Sequence, residues 1–373
     1  MASPPKIFLV AGEPSGDRIG ADLIKRLRIH RPVQPVGIGG ADLEGEGLKS
    51  IYPMSDLSVM GLSDVLMRLP LLYWRMRQTV QAIIAQQPDI VVLIDSQVFS
   101  QTVATELRKA EYTGKILLYV SPSVWAWKPE RAPGLKPLYD EILAVLPFEP
   151  AVMKRLDGPP TSYVGHPALE RTTFRAKQPA SGPLLLLPGS RSGELRRHLP
   201  LMQAVALAMR RHPAITDLVL PTVRSEEARA MHAVSGWGTP VYVTSSAEAK
   251  RSAFENAVAA VAVTGTVTLE LALAGVPMVA TYVGDGGQKR RAAKYKIRFA
   301  SLPNILFGDA LVPEILDTKR HPDRVIGELQ QLLDGPGEIE RQRDGFARIR
   351  AGMEKGAPDA PLTDAAVRVL AHL

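Results

Sequence analysis

Two glycine-centred turns, one in each half of the chain, constrain the fold more than any other feature. AGEPSGD (residues 11–17) directly follows an apolar run over residues 7–10. PGSR (residues 188–191) directly follows a second apolar run over residues 184–187, and a helical pattern comes after each turn. A buried strand, a tight turn and a helix N-terminus begin a βαβ unit, where backbone N–H groups favour an anionic ligand. Two such starts predict two doubly wound halves with a cleft between them.

Strand-like and helix-like segments alternate along both halves. In the first half, the continuous apolar run Ile90–Ile94 is typical of a central parallel strand, with helical segments before it (residues 71–86) and after it (residues 102–110). In the second half, a helix over residues 268–274 is expected to stop at Gly275. Strands that alternate with helices predict parallel sheets, and ligands of such sheets bind beyond the carboxyl ends of the strands.

Composition limits the class of protein. The chain has 373 residues, enough for two domains, and its 0 Cys exclude disulfides, zinc–thiolate sites and a cysteine nucleophile. No apolar run approaches membrane-spanning length, which favours a cytoplasmic protein that can still sit on a membrane surface. The net charge of +7 suits a nucleotide, a phosphorylated substrate or an acidic membrane, although scattered charge for solubility explains it equally well. No recognisable nucleic-acid-binding module accompanies the charge, so nucleic acid is not an expected partner.

Acidic residues of the first half are candidates for chemistry. Asp95 directly follows the most apolar strand, where a carboxylate either acts as a general base or, more commonly, caps a helix. Glu13 lies inside the first glycine turn, where its charge would repel phosphate, so this turn is expected to meet hydroxyls or an amine. Ser15 or Asp17 in the same turn is equally well explained as the cap of a helix that begins near Ile19. The turn is not GxGxxG and lacks a P-loop lysine, which argues against nicotinamide and ATP.

The second half contains the better candidate for phosphate binding. Ser190 and Arg191 combine a helix N-terminus with a guanidinium, a pair that can hold a diphosphate. The alternative is a solvated arginine, which the helix dipole disfavours at that position. Gly265 and Thr266 offer a second backbone approach at a helix start. Glu270 is expected in the first turn of that helix, where it either favours the dipole or binds ribose hydroxyls.

Three further features are candidates for function, and two of them also have a structural interpretation. His166, in VGHP, is either catalytic or, as is commoner for a lone histidine before proline, structural. No GxSxG elbow or HExxH spacing is present, which argues against Ser/His/Asp hydrolysis and a metal site. LMRLPLLYWRM (residues 66–76) is either a buried amphipathic helix, the favoured interpretation, or a surface patch for acyl chains or a bilayer. The basic segment over residues 288–298 could face lipid phosphates.

Longer motifs occur in a fixed order along the chain. The most specific are YVSPSVWAWK (residues 119–128) and SLPNILFG (residues 301–308). AGEPSGD, LSVMGLSDVL (residues 57–66), LIDS, LPFEP, VGHP, LLPGSR and GTVTLELALAGVPMV (residues 265–279) accompany them. Over nearly its whole length the chain resembles the lipid-A-disaccharide synthase family, inverting glycosyltransferases of the glycosyltransferase-B fold.

The resemblance implies an α/β fold with two Rossmann-like, doubly wound domains that face a cleft. Residues 1–172 would form an N-terminal acceptor and catalytic domain, and residues 173–338 a C-terminal UDP-sugar-binding domain. Residues 339–373 would form a helical, charged tail that packs back on the first domain or is exchanged in a dimer. A monomer or a homodimer is therefore expected.

The resemblance also implies a reaction. A UDP-linked 2,3-diacylglucosamine would donate its sugar to the 6-hydroxyl of 2,3-diacylglucosamine 1-phosphate, and the products would be a β-1,6-linked disaccharide 1-phosphate and UDP. The family inverts the anomeric carbon and needs neither a catalytic metal nor another cofactor. The expected location is cytoplasmic and peripheral to the inner face of the bacterial inner membrane, which holds both lipids.

Individual residues acquire roles from the same resemblance. Asp95 matches the essential aspartate of the family, so it is the candidate base that deprotonates the attacking hydroxyl. Glu13 and Ser15 would line the acceptor side. The residues that would bind the donor and stabilise its UDP leaving group are Ser190, Arg191, Gly265, Thr266, Glu270 and Asn304.

Two segments depart from the family pattern. The family usually continues its aspartate strand as Asp-x-Pro-Asp-Phe-Asn, whereas this chain has Val98 and Ser100 where the second Asp and the Asn are expected. Residues 284–296 are basic with little apolar surface, which leaves mainly electrostatic contact with a membrane. An alternative is therefore a diverged paralogue that binds a UDP-sugar or lipid head group with altered or lost catalysis. A sugar-nucleotide epimerase shares the architecture but would release no disaccharide.

Overall fold

The computed structural model describes residues 3–57, 62–295 and 297–373, apart from the side chains of residues 62–67 and Arg291. The chain divides into two compact units. Unit 1 comprises Met1–Pro167 and Met353–Leu373, and unit 2 comprises Ala168–Gly352. Each unit contains one parallel six-stranded sheet with helices, which confirms the predicted α/β class with two Rossmann-like sheets.

Strands and helices alternate through most of the chain. As far as Pro167 the elements are β1 (Lys6–Ala11), α1 (Pro14–His30), β2 (Gln34–Ile38), α2 (Ala41–Gly45), α3 (Leu62–Gln86), β3 (Ile90–Ile94), α4 (Gln97–Lys109), β4 (Lys115–Tyr119), α5 (Ala132–Leu135), β5 (Glu141–Ala144), α6 (Glu149–Arg155) and β6 (Thr161–Tyr163). Short 3₁₀ helices lie at Met54–Asp56, Pro129–Arg131 and Arg224–Glu226.

The second half repeats the alternation and ends in a separate helical and hairpin segment. From Ala168 onward the elements are α7 (Ala168–Arg171), β7 (Gly182–Leu187), α8 (Ser192–Met209), β8 (Ile215–Pro221), α9 (Glu227–Val234), β9 (Tyr242–Thr244), α10 (Ala247–Asn256), β10 (Ala259–Val263), α11 (Thr266–Ala274), β11 (Met278–Val283), α12 (Gly286–Lys294), α13 (Leu302–Phe307), β12 (Glu314–Asp317), α14 (Pro322–Asp334), α15 (Glu338–Lys355), β13 (Gly356–Ala357), β14 (Ala360–Pro361) and α16 (Ala365–Leu370).

The sheet of unit 1 has the strand order β2-β1-β3-β4-β5-β6. The central strands β1 and β3 are almost fully buried because helices cover both faces of a parallel sheet, which explains their continuous apolar sequences. Ala11 pairs with Ile94, and Ile94 pairs with Tyr119, so β1, β3 and β4 end at the same level. The segments that follow these strands therefore lie along one edge of the sheet.

The sheet of unit 2 has the order β12-β11-β10-β7-β8-β9. Strands β7 and β10 are neighbours at its centre, and Leu187 pairs with Ala262. This register puts the PGSR turn after β7 beside the turn over residues 264–265 after β10. Both turns lie at the carboxyl edge, where a ligand of such a sheet is expected.

The C-terminal segment differs from the continuous helical pattern read from the sequence. After α15 the chain forms the two-stranded antiparallel hairpin β13–β14 and then the short helix α16. The buried Glu141 side chain accepts hydrogen bonds from Arg368 (2.9 and 3.0 Å) and from the His372 ring (2.7 Å). Tyr163 also donates to the Met353 carbonyl at 2.7 Å, so the last residues are tied to β5 and β6 of unit 1.

Candidate functional site

Asp95 occupies a strained turn at the carboxyl edge of the unit 1 sheet. Asp95 and Ser96 are consecutive non-glycine residues with positive φ, +51° and +41°, and the side chain of Asp95 is half-buried. Left-handed backbone at such residues costs about 1–3 kcal/mol each and is typically found at functional sites. The predicted base therefore lies in strained backbone at the edge of the sheet, and its side chain is partly exposed to solvent.

The turn that contains Glu13 and Ser15 lies beside the Asp95 turn. A Cβ added to Gly12 would overlap the hydroxyl of Ser96, so the two segments touch where β1 and β3 end. Glu13 and Ser15 are both exposed at the start of α1. Unit 1 thus brings together the predicted acceptor-side residues and the predicted base.

Asp17 has a structural role that the sequence pattern did not specify. It lies inside α1, which begins at Pro14 rather than near Ile19, and only 3% of its surface is exposed. Its carboxylate accepts hydrogen bonds from the backbone N–H groups of Gly40 (2.7 Å), Asp42 (3.0 Å) and Leu43 (3.2 Å). Asp17 therefore caps α2, not its own helix.

The PGSR turn of unit 2 already binds a carboxylate of its own chain. Gly189 has φ +106°, and one Glu194 oxygen accepts from the backbone N–H groups of Ser190 (3.0 Å) and Arg191 (3.3 Å). The Arg191 guanidinium lies 3.5 Å from the other Glu194 oxygen. Glu194 was not among the predicted site residues, although its spacing from the cap residue Arg191 is that of a capping box. The turn is an anion site by geometry, and Glu194 is the anion that it holds.

The second turn that is expected to bind the donor, at Gly265, leads directly into α11. Gly265 precedes the helix in extended backbone, and Thr266 is its first residue. Glu270 is therefore in the second turn of α11, so its predicted place in the first turn was wrong. The Glu270 carboxylate is half-buried and pairs with the ammonium of Lys250 on α10 at 2.6 Å. No local pattern indicated Lys250, because the two residues meet only when α10 packs against α11.

Asn304 is buried beside β12, which is an edge strand of the unit 2 sheet. Its amide oxygen accepts from the N–H groups of Leu311 (2.9 Å) and Val312 (2.8 Å). Its amide nitrogen donates to the Val312 carbonyl and to Glu314, both at 2.8 Å. All four hydrogen-bonding capacities of the amide are used within the protein, so Asn304 here organises the SLPNILFG segment.

The motifs YVSPSVWAWK and LPFEP meet in a partly buried contact for which the sequence indicated no role. Trp125, after β4, donates from its indole nitrogen to Glu149, after β5, at 3.2 Å. The other Glu149 oxygen accepts from the Leu146 N–H at 3.0 Å, and the Trp125 and Phe148 rings pack edge to face at 5.2 Å. Burial raises the pKa of Glu149 to about 7, although these hydrogen bonds lower it in part. This pair anchors another segment of the carboxyl edge that carries Asp95.

His166 and the apolar segment over residues 66–76 both lie in unit 1. His166 is half-buried after β6. On α3, Leu69, Tyr73 and Trp74 are about half exposed or more, while Met76 is buried, so the helix has both a packed side and an exposed apolar side. Residues 58–61 of the LSVMGLSDVL motif lie outside the described residues. In the part of the chain that the structure describes, no helix is long and apolar enough to cross a membrane.

Comparison with known proteins identifies the family. A family model described as lipid-A-disaccharide synthetase matches residues 7–361. A lipid-A-disaccharide synthase of Rhodopseudomonas palustris is 38% identical over 380 residues, covering 98% of this chain and 96% of the relative. One of Nitrobacter winogradskyi is 40% identical over 364 residues, covering 94% and 91%.

Solved structures agree in fold. The glycosyltransferase of kitacinnamycin has a TM-score of 0.64 at 16% identity and covers 100% of both chains. The calicheamicin glycosyltransferase has a TM-score of 0.63 at 17% identity, covering 100% of this chain and 99% of its own. A complex of S. aureus MnaA with UDP has a TM-score of 0.61 at 12% identity, covering 94% and 96%. The solved structures show the glycosyltransferase-B fold. The family match over residues 7–361 and the relatives at 38% and 40% identity show that the chain belongs to the lipid-A-disaccharide synthase family of glycosyltransferases.

Proposed function

We propose that this protein transfers 2,3-diacylglucosamine from its UDP derivative to the 6-hydroxyl of 2,3-diacylglucosamine 1-phosphate, with inversion and release of UDP. The family membership supports this reaction class. The observation that carries the assignment of the base is the strained turn of Asp95 beside the Gly12 turn, at the carboxyl edge of the unit 1 sheet. In this proposal unit 1 binds the acceptor and unit 2 binds the donor.

On the acceptor side, Asp95 accepts the proton of the attacking 6-hydroxyl. Inversion requires one base on the face opposite the leaving group, and the transition state has oxocarbenium character. The exposed Glu13 and Ser15 supply hydrogen-bonding groups for the sugar in the neighbouring turn. A carboxylate in that turn suits hydroxyls better than phosphate, because it repels a second anion.

On the donor side, the PGSR turn and the start of α11 receive the diphosphate. Arg191 and the backbone N–H groups that now bind Glu194 can stabilise the developing charge on UDP. The diphosphate would take the place of the Glu194 carboxylate, since both are anions that need the same donors. Glu270, held by Lys250, is available for ribose hydroxyls, and Asn304 supports the donor side through the SLPNILFG segment.

The lipid substrates suggest peripheral contact with the inner membrane. The exposed side chains of Leu69, Tyr73 and Trp74 on α3 can enter a lipid interface, where aromatic rings are favoured. Exposed basic residues on α12, among them Lys289 and Arg290, can face lipid phosphates. Both features support access to acyl-chain substrates at a membrane surface.

The test measures UDP and disaccharide release with both lipids present. Asp95→Asn is expected to lower kcat by about a thousandfold while UDP affinity stays within about twofold, because the base is lost and the donor site is not. Asp157→Asn, which alters an exposed carboxylate of unit 1, is the matched control and should retain full activity. Near-normal turnover of Asp95→Asn would remove Asp95 as the base. A wild-type protein that binds the UDP-sugar but forms no disaccharide would favour the diverged paralogue.

A further inference from the structure

We propose that Ser100 is a positioning residue for Asp95: its buried hydroxyl holds the main chain of Asp95 in the left-handed conformation that presents the carboxylate to the acceptor. The inference rests on the proposed function, in which Asp95 is the base. Ser100 stands where the family pattern has asparagine, so the role concerns a position at which this chain departs from that pattern.

The conformation of Asp95 requires support from its surroundings. Positive φ at both Asp95 and Ser96 is energetically unfavourable, although aspartate tolerates this region better than most residues. Such strain persists only where hydrogen bonds and packing over-determine the backbone. Groups that contact this turn must therefore hold its backbone in place.

Hydrogen bonds hold the main chain of this turn. The Asp95 N–H donates to the Tyr119 carbonyl at 2.8 Å, and the Ser100 N–H donates to the Ser96 carbonyl at 2.9 Å. The Ser100 hydroxyl donates to the Asp95 carbonyl at 2.7 Å. Of these three, only the last depends on the identity of a side chain. Ser100 is fully buried, so the bond is shielded from competing water.

The contact differs from ordinary hydroxyl bonding along a helix. Thr102 donates to the Val98 carbonyl at 2.7 Å, one turn earlier in the same helix, as helical threonines commonly do. The acceptor of Ser100 lies before the helix, at the residue that carries the proposed base. Thr102 therefore offers a matched control for the loss of a hydroxyl on α4.

Val98, the other departure from the family pattern, makes the position of Asp95 more important. Val98 replaces the second aspartate of the pattern, and 78% of its surface is exposed at the start of α4. A valine cannot accept a proton or orient a hydroxyl. Proton transfer therefore depends on how well Asp95 alone is placed, and a displacement of about 1 Å can cost up to a hundredfold in rate.

The experiment compares Ser100→Ala with Thr102→Ala in the disaccharide assay. Ser100→Ala is expected to lower kcat by about tenfold, with KM for both lipids and UDP affinity within about twofold. Thr102→Ala should match wild type in all of these. Ser100→Thr, which retains a hydroxyl, should recover most of kcat, whereas the nearly isosteric Ser100→Cys should not.

The outcomes separate this inference from the proposed function. If Asp95→Asn retains turnover, Asp95 is not the base and the proposed function fails at that point. If Asp95→Asn is inactive but Ser100→Ala and Ser100→Cys turn over like wild type, the role of Ser100 is overturned. Equal losses in Ser100→Ala and Thr102→Ala, or a loss that appears in KM rather than in kcat, also overturn it. If Ser100→Ala does not fold, the comparison of the Cys and Thr variants decides.

Discussion

Gly12 and Ser96 lie so close together that position 12 has no room for a side chain. A Cβ at Gly12 would overlap the Ser96 hydroxyl, while the next nearest group, on Leu57, would make only ordinary contact. Gly12 directly follows β1, and Ser96 is the second residue after β3, the neighbouring strand of the same sheet. This contact joins the predicted acceptor turn to the turn of the proposed base.

Gly12→Ala is expected to lower kcat by about tenfold, because the added methyl group pushes Ser96 and with it the Asp95 turn. Adding Ser96→Gly should restore activity, since it removes the atoms that the methyl group meets and suits the positive φ of position 96. Gly134→Ala, where a Cβ meets open space, is the control. Full activity of Gly12→Ala, or no recovery in the double variant, would contradict this coupling.

Arg191→Ala is expected to weaken UDP binding by about tenfold to a hundredfold, the value of one charge-assisted hydrogen bond to an anion. Arg191→Lys should recover only part of the loss, because an ammonium cannot bind bidentately. Arg196→Ala removes an exposed arginine from α8, the helix that follows Arg191, and should leave UDP affinity unchanged. Titration calorimetry with UDP measures all three variants. Equal affinity of Arg191→Ala and wild type would exclude Arg191 from the donor site.

Glu149 is expected to make stability depend on pH near neutrality. Its pKa in the folded protein, about 7, lies above the ordinary value of 4.5, so the folded state favours the protonated form. The contribution of Glu149 to the free energy of unfolding is complete below pH 4.5 and is lost as pH rises through 7. The loss is about 2 kcal/mol between pH 5 and pH 8. Urea unfolding should show this loss in wild type and in the exposed control Glu130→Gln, but not in Glu149→Gln. If the free energy of unfolding differed between wild type and Glu149→Gln by the same amount at every pH, Glu149 would not be the source of the pH dependence.

Glu141 should have the opposite pH dependence. Burial alone would raise its pKa, but hydrogen bonds from Arg368, Ser162 and His372 outweigh burial and lower it. Its contribution to stability is therefore present above the ordinary pKa and is lost as pH falls through the lowered value. Arg368→Gln leaves a buried carboxylate without its main partner and should cost about 3 kcal/mol in the free energy of unfolding.

The control for this pair is Arg341→Gln, which breaks an exposed pair with Glu338 and should cost about 0.5 kcal/mol or less. Chemical denaturation at pH 7 compares the two variants. Similar costs in both would show that the Glu141 contact does not hold the C-terminal segment to unit 1.

The elements with strong local signals were predictable. Strand Ile90–Ile94 begins and ends as expected, because a continuous apolar run must be buried on both faces. Helix α11 stops at Gly275, which adopts φ +73°, a conformation that glycine takes without strain. The start of α1 was less predictable, because Pro14 and the small polar residues after it are also typical of a loop.

The site could be predicted as a set of positions but not as a set of contacts. Alternating strands and helices are enough to put Asp95, the PGSR turn and Gly265 at carboxyl ends of parallel strands, because that edge follows from chain direction. The hydrogen-bond partners required the folded chain. Asp17 reaches Gly40, and Glu270 reaches Lys250, only after the strands and helices have packed in their final register. Local sequence carries the backbone pattern, whereas polar contacts between distant residues depend on tertiary packing.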